Sequence, residues 1–261
     1  MANALLGRGQ NSVYLNESTL SKARSLGGIN SGEVMTSSGA ITKTAYLTLV
    51  VALGALIPSF MEISPNLLFT LSGVCGLAAV IMVLVMVFKV DAAKYIAFPY
   101  AICEGLAISA LVFACNSLVP GVATEALFAT LALLGGVTVA YKTGLIKVNE
   151  TFKTVFTVMS FAFLGLLVIN LVTMFFFKDF GNTLFALSNA SWIAIGITLF
   201  MLIYGSFCLV LDLQMIENGE AEQLNKDFEW YCAVSLLITV VFIYVQMLRL
   251  LVQIYLRASD N

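Results

Sequence analysis

Seven long apolar segments with almost no charge limit what this chain can fold into. A helix needs about 20 mostly apolar residues to cross the hydrocarbon core of a bilayer. The segments are continuously apolar and lack the period of two that barrel strands show, so they predict membrane-spanning helices. The predicted spans are Thr44–Met61, Leu67–Phe88, Tyr95–Cys115, Val122–Tyr141, Thr154–Phe177, Ala190–Glu217 and Trp230–Leu256.

The composition supports this interpretation and excludes several kinds of chemistry. Of the 261 residues, 60% are hydrophobic and 11% charged, whereas soluble domains carry about 25% charged residues. The chain contains no histidine, which excludes Ser-His and Cys-His catalysis and histidine-ligated metals. The net charge of −2 gives no basic character that favours nucleic acid. We therefore expect a lipid-embedded protein with no enzymatic activity, no cofactor, no metal site and no nucleic-acid partner.

The charges between the spans predict an orientation. Counted along seven crossings, ten lysines and arginines fall on the side of the N-terminus and three on the other side. The positive-inside rule then places the N-terminus in the cytoplasm and the C-terminus outside. Residues 1–43, which are rich in Ser, Gly and Asn, predict a disordered cytoplasmic tail, and residues 44–257 form the transmembrane domain. The pair Asn218-Gly219 is typical of a helix end and predicts that the sixth helix stops there.

Two carboxylates inside the spans are the strongest candidates for function. Glu104 lies about ten residues into the third span, roughly 15 Å deep. Asp212 lies near the cytoplasmic end of the sixth span. An ionised group in lipid costs several kcal/mol unless it faces protein or water. Each residue is therefore either a proton- or cation-binding group on a pathway or a carboxyl with a structural role. For Glu104 that role is a neutral acid bonded within the bundle, and for Asp212 an ordinary interfacial acid.

The seventh span carries a polar stripe. Its members recur every three or four residues, which places them on one helical face. Such a face turns toward other helices or toward a water-filled path, and both interpretations stay open, as does snorkelling of Arg249 to the outer interface. The stripe consists of Ser235, Thr239, Phe242, Gln246, Arg249 and Gln253.

The connection between the last two spans is acidic. It carries five carboxylates and a single lysine, Lys226. These acids favour either a simple solvated loop or a mouth that attracts cations on the cytoplasmic side. The acids are Glu217, Glu220, Glu222, Asp227 and Glu229.

Several segments, in this order and spacing, resemble the Bax inhibitor/YccA-like family, in particular its bacterial branch. The similarity covers roughly residues 40 to 256. The segments that carry it are Pro99-Tyr100-Ala101-Ile102-Cys103-Glu104-Gly105-Leu106, Tyr141-Lys142-Thr143-Gly144-Leu145-Ile146-Lys147-Val148, Leu209-Val210-Leu211-Asp212, Met215-Ile216-Glu217, Glu229-Trp230-Tyr231 and Leu248-Arg249-Leu250-Leu251.

The resemblance implies a bundle of six helices around a central one and a pH-sensitive calcium leak. It also implies two gating aspartates that share a proton, one on the sixth helix and one on the seventh. Asp212 matches the first, but Thr239 stands at the position of the second. An arginine latch on the second helix is also absent from the sequence, since no Arg or Lys lies between Thr44 and Phe88. One hypothesis is that Glu104 supplies the missing carboxylate, because Glu104 and Thr239 lie at similar depths.

The sequence thus predicts a multi-pass protein of the cell inner membrane that passes or senses cations, with Ca²⁺ as the expected ion, under proton control. Asp212, Glu104 and Thr239 are the candidate proton-sensing and pathway residues, and Ser235, Gln246 and Arg249 the pore-facing ones. The alternative is a non-conducting modulator, and substrate, of a membrane-bound protease, which would grasp the polar tail.

Overall fold

The computed structural model describes residues 34–60, 64–176 and 191–259. Within these ranges the chain forms seven helices that are long and apolar enough to cross a membrane, and no β-strand. The predicted span ends Met61, Phe177 and Ala190 lie outside the described residues, as do residues 1–33 of the predicted tail. The helices are α1 Ser37–Phe60, α2 Pro65–Phe88, α3 Ala93–Leu118, α4 Val122–Lys142, α5 Glu150–Phe176, α6 Trp192–Ala221 and α7 Phe228–Ser259, with a 3₁₀ turn at Val90–Ala92.

Helix α7 is the centre of the bundle. It packs against α1, α3, α4 and α6, while α2 packs on α3 and α5 packs on α6. Buried residues follow one another along α7 from Phe228 to Gln253, whereas many Leu, Val, Ile and Phe side chains of the surrounding helices face outward. The expected arrangement around a central helix is confirmed, with α2 and α5 as its outermost members.

The first helix starts earlier than the sequence predicts. It begins at Ser37, so residues 37–43, which we assigned to the tail, are helical. Thr36 caps this helix, because its hydroxyl accepts a hydrogen bond of 3.0 Å from the Gly39 amide. Ahead of it, the Met35 amide donates to the Leu224 carbonyl at 2.8 Å. These small polar residues are ordered by contacts with distant parts of the chain, which composition alone does not reveal.

The sixth helix ends later than the sequence predicts. It continues through Asn218-Gly219 to Ala221, and the left-handed residue that follows is Gln223, with φ of 55°. Gly219 serves close packing instead of a turn. A Cβ at this position would lie 2.6 Å from the Met35 sulfur.

Two further glycines allow helices to approach closely. A Cβ on Gly105 of α3 would lie 2.5 Å from the Val51 carbonyl oxygen of α1. A Cβ on Gly205 of α6 would lie 2.9 Å from the Ile243 side chain and 3.0 Å from the Phe242 ring of α7. Small residues at such crossings are typical of membrane helix pairs. The crossing at Gly205 sets the spacing between the two helices that form the site described next.

Candidate functional site between α6 and α7

A buried carboxylate joins α6 to the central helix. Asp212 is 9% exposed. Its Oδ1 accepts a hydrogen bond of 2.7 Å from the Ser235 hydroxyl, and its Oδ2 accepts one of 2.5 Å from the Thr239 hydroxyl. Both oxygens of one side chain on α6 are therefore bonded to α7. We call these three residues the Asp212 latch.

The local sequence explains why the latch forms. Ser235 and Thr239 are four residues apart on α7, so their hydroxyls project from one face. Asp212 reaches that face because α6 and α7 are antiparallel neighbours joined by a short connection. The site is where the polar stripe meets the one carboxylate in the apolar part of α6.

The surroundings of the latch are apolar. Apolar side chains that neighbour Asp212 and Ser235 along α6 and α7 belong to one buried hydrophobic cluster, among them Leu209, Leu213, Ile216, Cys232 and Leu236. A charge in such surroundings costs free energy unless hydrogen bonds compensate it. The Ser235 and Thr239 hydroxyls supply two such hydrogen bonds to Asp212.

The other predicted residues are not hydrogen-bond partners of Asp212. Glu104 is half-buried on α3, and its carboxyl adjoins the Tyr100 phenol one turn earlier on the same helix. The two hydrogen bonds of Asp212 come from Ser235 and Thr239, and Glu104 makes neither of them. Gln246 is buried and Arg249 half-buried, beyond Phe242 on the far half of α7.

A second buried carboxylate, which sequence reasoning left among the loop acids, holds the start of α1. Glu229 is 2% exposed and accepts hydrogen bonds from the Thr36 amide at 2.9 Å and from the Lys43 ammonium at 2.6 Å. The Lys43 ammonium also lies 4.7 Å from the centre of the Trp230 ring. We call this group the Glu229 clamp. Lys43 and Glu229 are 186 residues apart, so nothing local in the sequence links them.

Other acids near the α6–α7 connection also have partners. Asp227 pairs with Lys94 at 2.6 Å, Glu217 accepts a hydrogen bond of 2.7 Å from the Tyr141 hydroxyl, and Glu220 accepts one from the Ser37 hydroxyl. These contacts tie the starts of α1 and α3 and the end of α4 to one end of the bundle. The acids join helices here and are not simply solvated.

Comparison with known proteins settles the family. A family model described as Bax inhibitor 1 like matches residues 7–255. The chain belongs to this family. Search of curated proteins gave no match. Membership in the Bax inhibitor 1 like family and the seven apolar helices together establish a multi-pass membrane protein.

The geometry bears on the departure from the family pattern noted in the sequence. The resemblance implies a second aspartate where this chain has Thr239. The Thr239 hydroxyl nevertheless lies against Asp212, so contact between the sixth and seventh helices is kept without the second carboxyl. A pair of carboxylates must share a proton to stay in contact, whereas the Thr239 hydroxyl has a proton that it donates to Asp212. In this chain the contact between the two helices is made by one carboxyl and two hydroxyls.

Proposed function

We propose that this protein is a proton-controlled cation leak, with Ca²⁺ as the expected ion, and that Asp212 is its proton-sensitive residue. The observation that carries the proposal is the Asp212 latch, a buried carboxylate at the central helix with both oxygens bonded to that helix. The membrane is the expected cell inner membrane, with the N-terminus in the cytoplasm.

Protonation changes what the latch can do. Hydrogen bonds to an ionised acceptor are roughly twice as strong as those between neutral groups. A protonated carboxyl has one O–H donor and less acceptor capacity. Adding a proton to Asp212 therefore weakens its hold on the Ser235 and Thr239 hydroxyls. The equilibrium shifts toward a state in which α6 and α7 pack less closely. We expect the ionised latch to be closed and flux to rise as the pH falls.

The test is Ca²⁺ entry into liposomes that contain the purified full chain, measured between pH 6 and pH 8. We expect wild-type flux to increase toward pH 6. Asp212→Asn removes the charge and should give high flux at every pH. Glu125→Gln is the matched control, since its carboxylate binds the Tyr255 hydroxyl at 2.7 Å at an exposed site, and it should keep the wild-type profile.

Glu104→Gln, measured in the same assay, decides between two carboxylates. If Glu104 were the sensor, its replacement would flatten the pH profile and Asp212→Asn would not. A wild-type profile in Asp212→Asn would overturn our assignment. Absence of flux above that of empty liposomes at every pH would overturn the leak and favour the alternative, a non-conducting modulator of a membrane-bound protease.

A further inference from the structure

An aromatic cluster divides the polar stripe of α7 into two parts. Phe242 lies 6.5 Å from Tyr204 of α6 and 6.0 Å from Phe163 of α5, ring centre to ring centre and edge to face. Phe163 and Tyr204 stack at 4.8 Å. The Asp212 latch lies on one side of this cluster, and Gln246, Arg249 and Gln253 lie on the other. Thr239 and Gln246 are seven residues apart, about 10 Å along the helix.

The far part of the stripe contains buried polar atoms that find no partner in the described part of the chain. Gln253 is fully buried, and both its amide oxygen and its amide nitrogen have no hydrogen-bond partner there. The same holds for the Gln246 amide oxygen and for the hydroxyl of Thr130, which is 2% exposed on α4. A buried polar atom without a hydrogen bond destabilises the folded protein. Four atoms of this kind in one region indicate that a polar species binds there.

The register of the helices brings these atoms to one level of the bundle. Along α6 and α7, Asp212 faces Thr239, Gly205 faces Phe242, and Trp192 stacks on Arg257. Gln246 and Gln253 therefore lie beside the stretch of α6 between Gly205 and Trp192.

Helix α4 supplies Thr130 at that level. The Tyr255 hydroxyl binds Glu125, and Ala126 packs in one cluster with Leu248 and Val252, so α4 runs antiparallel to α7. Thr130 is one helical turn beyond Ala126 on the same face. This places it between the levels of Gln246 and Gln253.

The charge at this level favours water over a resident cation. Arg249 lies between the two glutamines on α7, half-buried, with its guanidinium in the electrostatic range of Cys115. Gln246, Gln253 and Thr130, whose buried polar atoms have no partner in the described residues, are uncharged and offer no carboxylate to a cation. Buried water typically makes about three hydrogen bonds to polar groups that the protein itself leaves unbonded.

We propose that Thr130, Gln246, Arg249 and Gln253 line a hydrated chamber, and that the Phe163–Tyr204–Phe242 cluster is the closed gate between this chamber and the Asp212 latch. The hydration of the chamber stands on its own observations. The gating role rests on the proposed leak, and opening of the latch would let the Phe242 ring move off Gly205.

Hydration is tested by thiol labelling, which does not depend on flux. Gln253→Cys is placed in the full chain with its five native cysteines replaced, and a small charged methanethiosulfonate reagent is applied to the protein in liposomes. The matched control is Val252→Cys, which is equally buried but packs in an apolar cluster.

We expect labelling of Gln253→Cys at least tenfold faster than labelling of Val252→Cys, and faster with an anionic than with a cationic reagent, because of Arg249. Equal, slow labelling at both positions would overturn the hydrated chamber. Gln246→Cys repeats the test should the first variant fail to fold.

The gate is tested by Phe242→Ala and the milder Phe242→Leu in the liposome assay, with Phe161→Ala, whose ring is 70% exposed on α5, as control. We expect Phe242→Ala to raise Ca²⁺ entry severalfold at pH 8 and the control to leave it unchanged. If the wild type leaks and neither Phe242 variant changes the flux, the gate is overturned while the leak stands. If no variant conducts, the leak and its gate both fail, and the labelling result still decides the chamber.

Discussion

At the scale of single residues, the defining feature is a hydroxyl at the position where the family resemblance implies a carboxylate. Thr239 donates to Asp212 at 2.5 Å, in a buried site where a second acid would require a shared proton. In the mechanism that we propose, this difference decides which protonation state holds α6 and α7 together, and the ionised form of Asp212 closes the contact.

Replacing Thr239 by aspartate should therefore add a second pH response. Two carboxylates in contact cannot both stay ionised without strong repulsion. We expect Thr239→Asp to conduct more as the pH rises above neutrality, opposite to the wild type, in the liposome Ca²⁺ assay. Thr239→Asn introduces a side chain of the same shape as aspartate without its charge, so its Ca²⁺ flux should not rise at alkaline pH. An alkaline rise in both variants, or in neither, would contradict this account of the latch.

Much of the latch could be predicted from the sequence, and part of it could not. Asp212 is prominent because a carboxylate in an apolar span is costly, and the spacing of Ser235 and Thr239 places their hydroxyls on one face. That all three meet depends on the register between α6 and α7, which the Gly205 crossing sets. That Glu104 supplies a second carboxylate stays a prediction, and the partner that the structure gives its carboxyl is Tyr100 on the same helix.

At the scale of helices, close crossings and end contacts determine the packing. Local signals predicted helix ends poorly wherever long-range contacts dominate. The composition around Thr36 and Ser37 predicts a tail, but Thr36 caps α1 and Ser37 begins it. The Thr36 amide is held in place because it donates a hydrogen bond to the buried Glu229. Asn218-Gly219 predicts the end of α6, but Gly219 lies inside the helix and packs against Met35.

The Gly205 crossing gives a prediction about stability. A methyl group there would overlap Ile243 and Phe242 of α7, and overpacking typically costs about 1–3 kcal/mol. We expect Gly205→Ala to lower the free energy of unfolding by that amount, measured by denaturation in detergent. Gly196→Ala lies on the same helix with nothing within 4 Å of the added Cβ, and should be neutral or stabilising by up to about 1 kcal/mol. Equal effects in the two variants would contradict the close crossing.

The Glu229 clamp gives a second prediction at this scale. Glu229→Gln keeps the size of the side chain but removes the charge that holds Lys43. Because Glu229 is 2% exposed, we expect a loss of about 1–3 kcal/mol in the free energy of unfolding. Faster protease cleavage near residues 34–43 should accompany it. Asp227→Asn breaks the more exposed pair with Lys94 and should cost less than about 1 kcal/mol. A larger loss for Asp227→Asn would show that the clamp does not hold this end.

At the scale of the whole molecule, the bundle brings its polar groups to the central helix. The membrane class and the seven spans follow from hydropathy, since apolar length alone makes a helix span. That α7 is the centre is a consequence of its polar stripe, which must turn away from lipid. The division of this stripe into the Asp212 latch and a distal chamber needs the aromatic contacts of Phe242 with Tyr204 and Phe163, which come from different helices.

The central claim is that the proton on Asp212 sets how α6 packs against α7, and a distance measurement tests it most directly. Spin labels would replace Ile203 on α6 and Ile254 on α7, which are both 47% exposed and away from the latch. Their distance distribution would be recorded in liposomes at pH 8 and pH 6 by electron–electron double resonance. We predict that the distance distribution of the wild type differs between pH 8 and pH 6. Asp212→Asn should show the wild-type pH 6 distribution at both pH values. A distribution that is unchanged by pH in the wild type, or that shifts equally in Asp212→Asn, would contradict the account.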